Sequence, residues 1–242
     1  MADILLIGHS HTQSIVQALQ ARSAAVGWGV VGMPSGANPV VATGEGYRLD
    51  PGVAAGLRRQ VGPETLCIST IAGNAHNVLA LMATEPPFDF MTPGGAEPVS
   101  PRAELVPYAS VRLSFRTILD EGDLSMLHAT GLAVPEMRYH LESPPPLRDG
   151  DLIRSRMDQY FIQTYPEAQV ADSWLRLKMW RLHSALFAEA CETLGIAFLP
   201  APPEAVDPDG FLRPEFAHET SSTHANVAYG ALVADQIERL TR

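Results

Sequence analysis

The sequence predicts an α/β fold, a three-layer α/β/α sandwich around a five-stranded parallel sheet. Two patterns predict it. Short apolar runs recur, each bounded by Gly, Pro or polar residues and lacking strict alternation, as in strands covered on both faces. Helical patterns lie between them, and that order favours right-handed crossovers with helices on both faces of the sheet. With 242 residues, 46% apolar types and 18% charged, the chain can bury one large core, and a single domain over residues 1–242 is expected.

The strand runs are Ile4 to Ile7, Trp28 to Met33, Leu66 to Ile71, Met137 to Leu141 and Ile196 to Leu199. Helices are expected over Thr12–Ala25 and over Pro51–Gln60, the latter with Asp50 as cap and Pro51 at the first helical position. Asn74–Ala83 carries Val78, Leu79 and Met82 at helical spacing. From Asp172 to Leu194 an apolar stripe of Leu175, Met179, Leu182, Leu186 and Ala190 runs to an exit at Gly195. A last helix is expected from near Thr223 to about Leu240. Residues 84–132 interrupt the alternation as an inserted loop and helices. Thr84–Pro107 holds six prolines and Gly94-Gly95, which reads as a long ordered loop or a lid beside the site. Val111–Leu132 reads as an inserted pair of helices, and Pro144-Pro145-Pro146 as a stiff spacer.

A formal charge of -10 argues against nucleic acid and anionic lipid as partners, since no Lys/Arg cluster offsets it. Cys67 and Cys191 lie far apart in apolar surroundings and read as buried reduced thiols. The start Met1-Ala2-Asp3 leads into a short apolar run without a basic flank, so no signal peptide is expected. No segment nears the roughly 20 apolar residues that cross a bilayer. A cytoplasmic protein is the expectation. Arg154 and Arg156, like Arg176, Lys178 and Arg181, read as solvated helix faces.

In an open parallel sheet, ligands bind beyond the carboxyl ends of the strands. Gly8-His9-Ser10-His11 follows the first strand, Pro34-Ser35-Gly36 the second, and Ala72-Gly73-Asn74-Ala75-His76 the third. Ser221-Ser222-Thr223-His224 opens the last helix. Acyl transfer needs a nucleophile, a base and donors aimed at the oxygen that becomes negative. Ser10 offers a hydroxyl and its own N–H, Gly36 an N–H that a carbonyl oxygen can approach closely, and Asn74 an amide. His224 is the histidine placed to turn back over the first strand. His9, His11, His76 and His224 also invite a metal reading, but no acidic ligand accompanies them and no metal or other cofactor is expected. His11 and His76 read instead as pocket residues able to hydrogen-bond a substrate. His128, His140, His183 and His218 carry no pattern.

These blocks, in this order, resemble the SGNH (GDSL-type) hydrolase superfamily, as a divergent member. That family has Gly-Asp-Ser after its first strand, a glycine after its second, Gly-x-Asn-Asp after its third and Asp-x-x-His before its last helix. Here Gly8-His9-Ser10 has His9 in place of the aspartate, Gly36 stands at the glycine, Gly73-Asn74-Ala75 keeps the asparagine, and Ser221 stands where the acid belongs. The resemblance implies a flavodoxin-like fold and hydrolysis of a small-molecule carboxylic ester, of acyl-esterase or deacetylase type. Ser10 would be the nucleophile and His224 the base, with the oxyanion held by Ser10, Gly36 and Asn74. A histidine base works best with a carboxylate on its far nitrogen. Without one at Ser221, either a dyad operates, with Glu219 or a backbone carbonyl orienting the ring, or the chain is a weak or inactive small-molecule binding protein of the same fold.

Overall fold

The computed structural model of the chain describes residues 3–22, 27–33, 39–44, 46–95, 97–167 and 169–241. Its strands, in chain order, are β1 (Ile4–Gly8), β2 (Trp28–Gly32), an antiparallel pair β3 (Val40–Thr43) and β4 (Gly46–Leu49), then β5 (Leu66–Thr70), the short β6 (Phe88–Asp89) and β7 (Glu104–Leu105), β8 (Met137–Leu141) and β9 (Ala197–Leu199). Five of them form an all-parallel sheet in the order β2-β1-β5-β8-β9. The helices are α1 (Thr12–Ala21), α2 (Pro51–Arg58), α3 (Ala75–Ala80), α4 (Tyr108–Asp120), α5 (Asp123–Ala133), α6 (Gly150–Ser155), α7 (Gln159–Thr164), α8 (Ser173–Leu194) and α9 (Val227–Leu240).

The alternation of side chains along a strand assigns β1 to two cores. Leu5 and Ile7 join Leu124 and Leu127 of α5 and Leu182 and Leu186 of α8, while Ile4 and Leu6 join Ile15 of α1 and Val233 and Ile237 of α9. Each of these four β1 side chains is buried, and each such burial is worth about 2 kcal/mol. That is why the run lacks polar alternation: both of its faces are interior. On the α1 and α9 side the two helices touch backbone to backbone, because a Cβ on Gly230 would lie 2.0 Å from the Ser14 carbonyl oxygen.

The expected caps are present. Asp50 accepts from the N–H groups of Gly52 and Val53, Asp172 from those of Trp174 and Leu175, and Gly195 ends α8 at φ 67. Several boundaries are tighter than expected. The first helix closes at Ala21, residues 23–25 of its expected span lying outside the described residues. The expected 74–83 helix covers only Ala75–Ala80. The last helix starts at Val227, where the Asn226 side chain caps it by accepting from Tyr229 N–H, so 221–226 is loop rather than helix.

Two cations expected on solvated faces are buried instead. Lys178 is 1% exposed, and its Nζ lies 2.5 Å from Asp89 Oδ1 while donating to the carbonyls of Phe90 and Pro98. Asp89 in turn accepts from the N–H groups of Phe90 and Ser100. The Pro-rich stretch 84–107 is thus folded around one ion pair on α8. It lines neither of the clefts beside Ser10 described below, so the reading of it as a lid gives way to that of an ordered loop. Arg176 is also buried, where it donates to the carbonyls of Leu147, Arg148 and Ala171; burial pushes its guanidinium down to about 10. The misreading has a physical cause: α8 is buried on every side from Leu175 to Trp180, so Arg176 and Lys178 had no solvent to face, whereas Arg181 beyond them is exposed as expected.

Candidate active site

The chain leaves β1 through Gly8, whose missing side chain lets β1 and β5 approach: a Cβ there would lie 1.9 Å from Thr70 Oγ1. A turn follows, closed by Thr12 N–H on the His9 carbonyl and Gln13 N–H on that of Ser10. It leaves Ser10 exposed at the carboxyl edge of the sheet. His224 Nε2 lies 2.9 Å from Ser10 Oγ, across a separation of 214 residues. The His224 loop is fastened on both sides. His218 N–H donates to the His224 carbonyl, Asn226 N–H to that of Phe216, and Arg156 donates to the His218 carbonyl at 2.8 Å.

The far nitrogen of the ring, Nδ1, lies 2.8 Å from Ser221 Oγ and 3.3 Å from Thr223 Oγ1. Neither Glu219 nor a backbone carbonyl occupies that place. Ser221 Oγ donates to Asp158 Oδ2 at 3.3 Å, and the same carboxylate oxygen accepts from Ser222 Oγ at 2.8 Å and Ser222 N at 3.2 Å. Asp158, just ahead of α7, carries no mark in the sequence: an aspartate before a short helix reads as a cap. Partial burial lowers the pKa of His224, opposed by the Asp158 carboxylate and assisted by His218. The ring is therefore neutral at neutral pH, with Nε2 free to accept a proton.

His11 lies under this pair, its ring centroid 5.4 Å from that of His224. Its Nε2 bonds the Gly73 carbonyl at 3.2 Å, which fastens the loop after β5 to the loop after β1. Burial first, and then the neighbouring His224, push it down to about 4. Gly73 itself sits at φ +53, and a Cβ on it would run into the Asp123 carboxylate. Asn74 follows at the N-cap position of α3 without capping it. Its side-chain oxygen is taken by Asn77 Nδ2, so the Asn74 NH2 group is the one left to donate. Gly36 lies outside the described residues.

His76 is not with the others. It is 3% exposed, with its ring against His183 at 4.8 Å between centroids and its Nε2 beside Asn77 Nδ2. Because α3 starts at Ala75, its second position turns inward to α8 rather than to the cleft. The structure thus brings together Ser10, His11, His224, Ser221 and Asp158. Ser10 stands between two clefts. One of about 290 Å³ is lined by Gln13, Gln17, Asp158 and His224; the other, of about 590 Å³, is lined by Val16, Val30 and Met33. Among the described residues no group of three or more His, Cys, Asp or Glu side chains is arranged to hold a metal ion. No helix among them is long and apolar enough to cross a membrane. Cys67 and Cys191 are buried free thiols, pushed up by burial to about 11 and about 12.

No protein-family model matches the chain, and no curated protein is similar to it in sequence. Solved structures are similar to it in fold. A Streptococcus pneumonia protein named for platelet activating factor is 12% identical with a TM-score of 0.51, covering 100% of this chain and 84% of that one. The periplasmic domain of a lipopolysaccharide acetyltransferase from Salmonella ser. Paratyphi A is 11% identical with a TM-score of 0.50, again over 100% and 84%. A GDSL-like lipase from Bacteroides thetaiotaomicron is 12% identical with a TM-score of 0.49, over 98% and 86%. At such identities the likeness is one of fold. Together with the all-parallel sheet flanked by helices on both faces, it shows that the chain has a three-layer α/β/α fold shared with the first two of these structures.

Proposed function

We propose that the chain is a serine hydrolase of small-molecule carboxylic esters, working without a cofactor. The observation that carries this reading is the 2.9 Å contact of an exposed Ser10 hydroxyl with His224 Nε2. In the first half-reaction Ser10 Oγ attacks the acyl carbon as its proton passes to Nε2, and His224 returns that proton to the departing alcohol. In the second, water attacks the acyl-serine as His224 takes its proton, and collapse breaks the bond to Ser10 Oγ, which recovers the proton from Nε2 as the carboxylic acid leaves. The oxyanion that forms each time is held by the N–H groups of Ser10 and Gly36 and by the Asn74 amide. One such donor is worth about 3 kcal/mol of barrier. Gln13 and Gln17 line both clefts; the one with Val16, Val30 and Met33 suits the more apolar side of the ester and the one with Asp158, His218 and Thr220 the more polar side. The name of one protein of similar fold, a lipopolysaccharide acetyltransferase, is that of an acyl-transferring enzyme and agrees with acyl chemistry at this site.

A second reading, a small-molecule binding protein without chemistry, draws on His9, Ala75 and Ser221, where residues of the family's pattern are replaced. One experiment separates the two. Ser10→Ala is expected to lower kcat/KM for a short-chain aryl ester by about a thousandfold or more, and a serine-directed phosphonate should label Ser10 one to one. Unchanged turnover in the variant removes the hydrolase, and no labelling at high probe concentration favours the binder.

A further inference from the structure

The family pattern places a carboxylate three residues before the histidine, and this chain has Ser221 there. The charge missing from that position is present in space, on another segment. We propose that Asp158 is the acid of this site, a positioning residue that acts on His224 through the Ser221 hydroxyl. This rests on reading Ser10 as nucleophile and His224 as base.

Three observations carry it. First, one proton arrangement joins the groups end to end: Ser10 Oγ–H donates to Nε2, Nδ1–H donates to Ser221 Oγ, and Ser221 Oγ–H donates to Asp158 Oδ2. A hydroxyl can accept from the ring and donate to the carboxylate at once, which an alanine here could not. Second, Asp158 stands at an N-cap and does not cap. Asp50, Asp149 and Asp172, at the same position of other helices, each accept from two helix N–H groups. Asp158 makes no side-chain cap bond and instead gives Oδ2 to Ser221 and to both the N–H and hydroxyl of Ser222. It forgoes the local partner that a helix start offers, in favour of the histidine loop. Third, Ser221 and Ser222 are 8% and 7% exposed, so the hydroxyls between carboxylate and ring are held in place by the fold, although Asp158 and His224 themselves line the cleft.

The proton bookkeeping is simple. When Ser10 attacks, its proton moves to Nε2 and His224 becomes an imidazolium. Nothing further transfers: Nδ1 keeps its proton, Ser221 keeps its own, and Asp158 stays ionised as the counter-charge. The link also fixes the tautomer, since Nδ1 must be the protonated nitrogen for Nε2 to accept. The titratable groups that face the ring are Asp158 from the α6 to α7 connection, His218 from its own loop and His11 from the start of α1. Of these only Asp158 brings negative charge.

The test is an NMR titration of the His224 ring beside pH profiles of kcat/KM, in the full chain. Asp158→Asn is expected to lower the midpoint of His224 by about one pH unit and to move the acid limb of kcat/KM down with it. It should also reduce kcat by about ten- to a hundredfold, less than the roughly ten-thousandfold loss of a triad aspartate bonded directly to the ring, because here Ser221 still holds Nδ1, with KM unchanged. Ser221→Ala, which breaks the link and leaves Asp158 in place, should shift the ring in the same direction. Ser221→Asp in the Asp158→Asn background puts a carboxylate directly on Nδ1 and should restore both the midpoint and kcat. If the His224 midpoint in folded Asp158→Asn equals that of the wild type, the proposal is overturned, whatever happens to kcat. A wild type without Ser10-dependent turnover would remove the hydrolase reading instead, and the titration would still decide whether Asp158 governs the ring.

Discussion

Taking the protein from pH 7 to pH 5 is expected to weaken it by about 6 kcal/mol, through imidazoles whose surroundings disfavour the charged ring. His11, His140 and His183 are held at about 4, about 3 and about 3, in each case chiefly because burial disfavours the charged ring. His140 and His183 pack on Phe187, 5.1 and 4.6 Å away between centroids, and each has an Nε2 without a hydrogen-bond partner among the described residues. In the unfolded chain an imidazole titrates near 6.5. Between that value and the folded ones the unfolded state binds protons that the native state refuses, so stability is complete above about pH 6.5 and falls as the pH drops. At pH 5 the difference is about 2 kcal/mol for each ring, hence about 6 for the three, against a typical total of about 5 to 15. His76, shifted down by burial as well, adds in the same direction. Asp123 and Glu142, whose carboxyls burial pushes up, offset part of the loss on acidification. Urea unfolding followed by circular dichroism at the two pH values measures the difference, and His183→Leu should flatten it by about 2 kcal/mol. Stabilities at pH 5 and pH 7 that agree within about 1 kcal/mol would refute the reasoning, as would ring titrations near 6.5 in the folded protein.

Two further expectations concern the supports of the site. Gly230→Ala pushes a methyl into the Ser14 carbonyl, so α9 must move off α1. A loss of about 1 to 3 kcal/mol should appear in thermal melts, with lower ester turnover because Ser10 and His224 precede those two helices; a variant as stable as the wild type would remove this account. Lys178→Met leaves Asp89 buried without its cation and should cost about 3 to 5 kcal/mol in urea unfolding. It should also open the 84–107 stretch to limited proteolysis; a cost below about 1 kcal/mol would show that the ion pair does not hold that stretch.

The strands were legible because a strand covered on both faces has to be a short apolar run, and Ile4 to Ile7 or Leu66 to Ile71 can hardly be anything else. Caps with a local mechanism, such as Asp50 and Gly195, were legible for the same reason: the cause sits within a few residues. What the sequence concealed depends on distant partners. Lys178 looks solvated until Asp89, far away in the chain, is folded against it. The inward turn of His76 depends on where α3 starts. The short helices α6 and α7 hold too few turns to show a period. Asp158 was hidden most completely, since position 158 reads as an ordinary helix start and Ser221, whose hydroxyl it accepts from, is 63 positions further on.

The direction of β1 and α9 has a practical side. The first strand rises toward Ser10 from Ile4, and the last helix descends from beside His224 to Leu240, so both ends of the described chain depart from the floor of the sheet. A tether attached through an exposed side chain near Asp3 or Thr241 therefore leaves from beneath the sheet, and the mouth of the clefts stays open to a dissolved ligand.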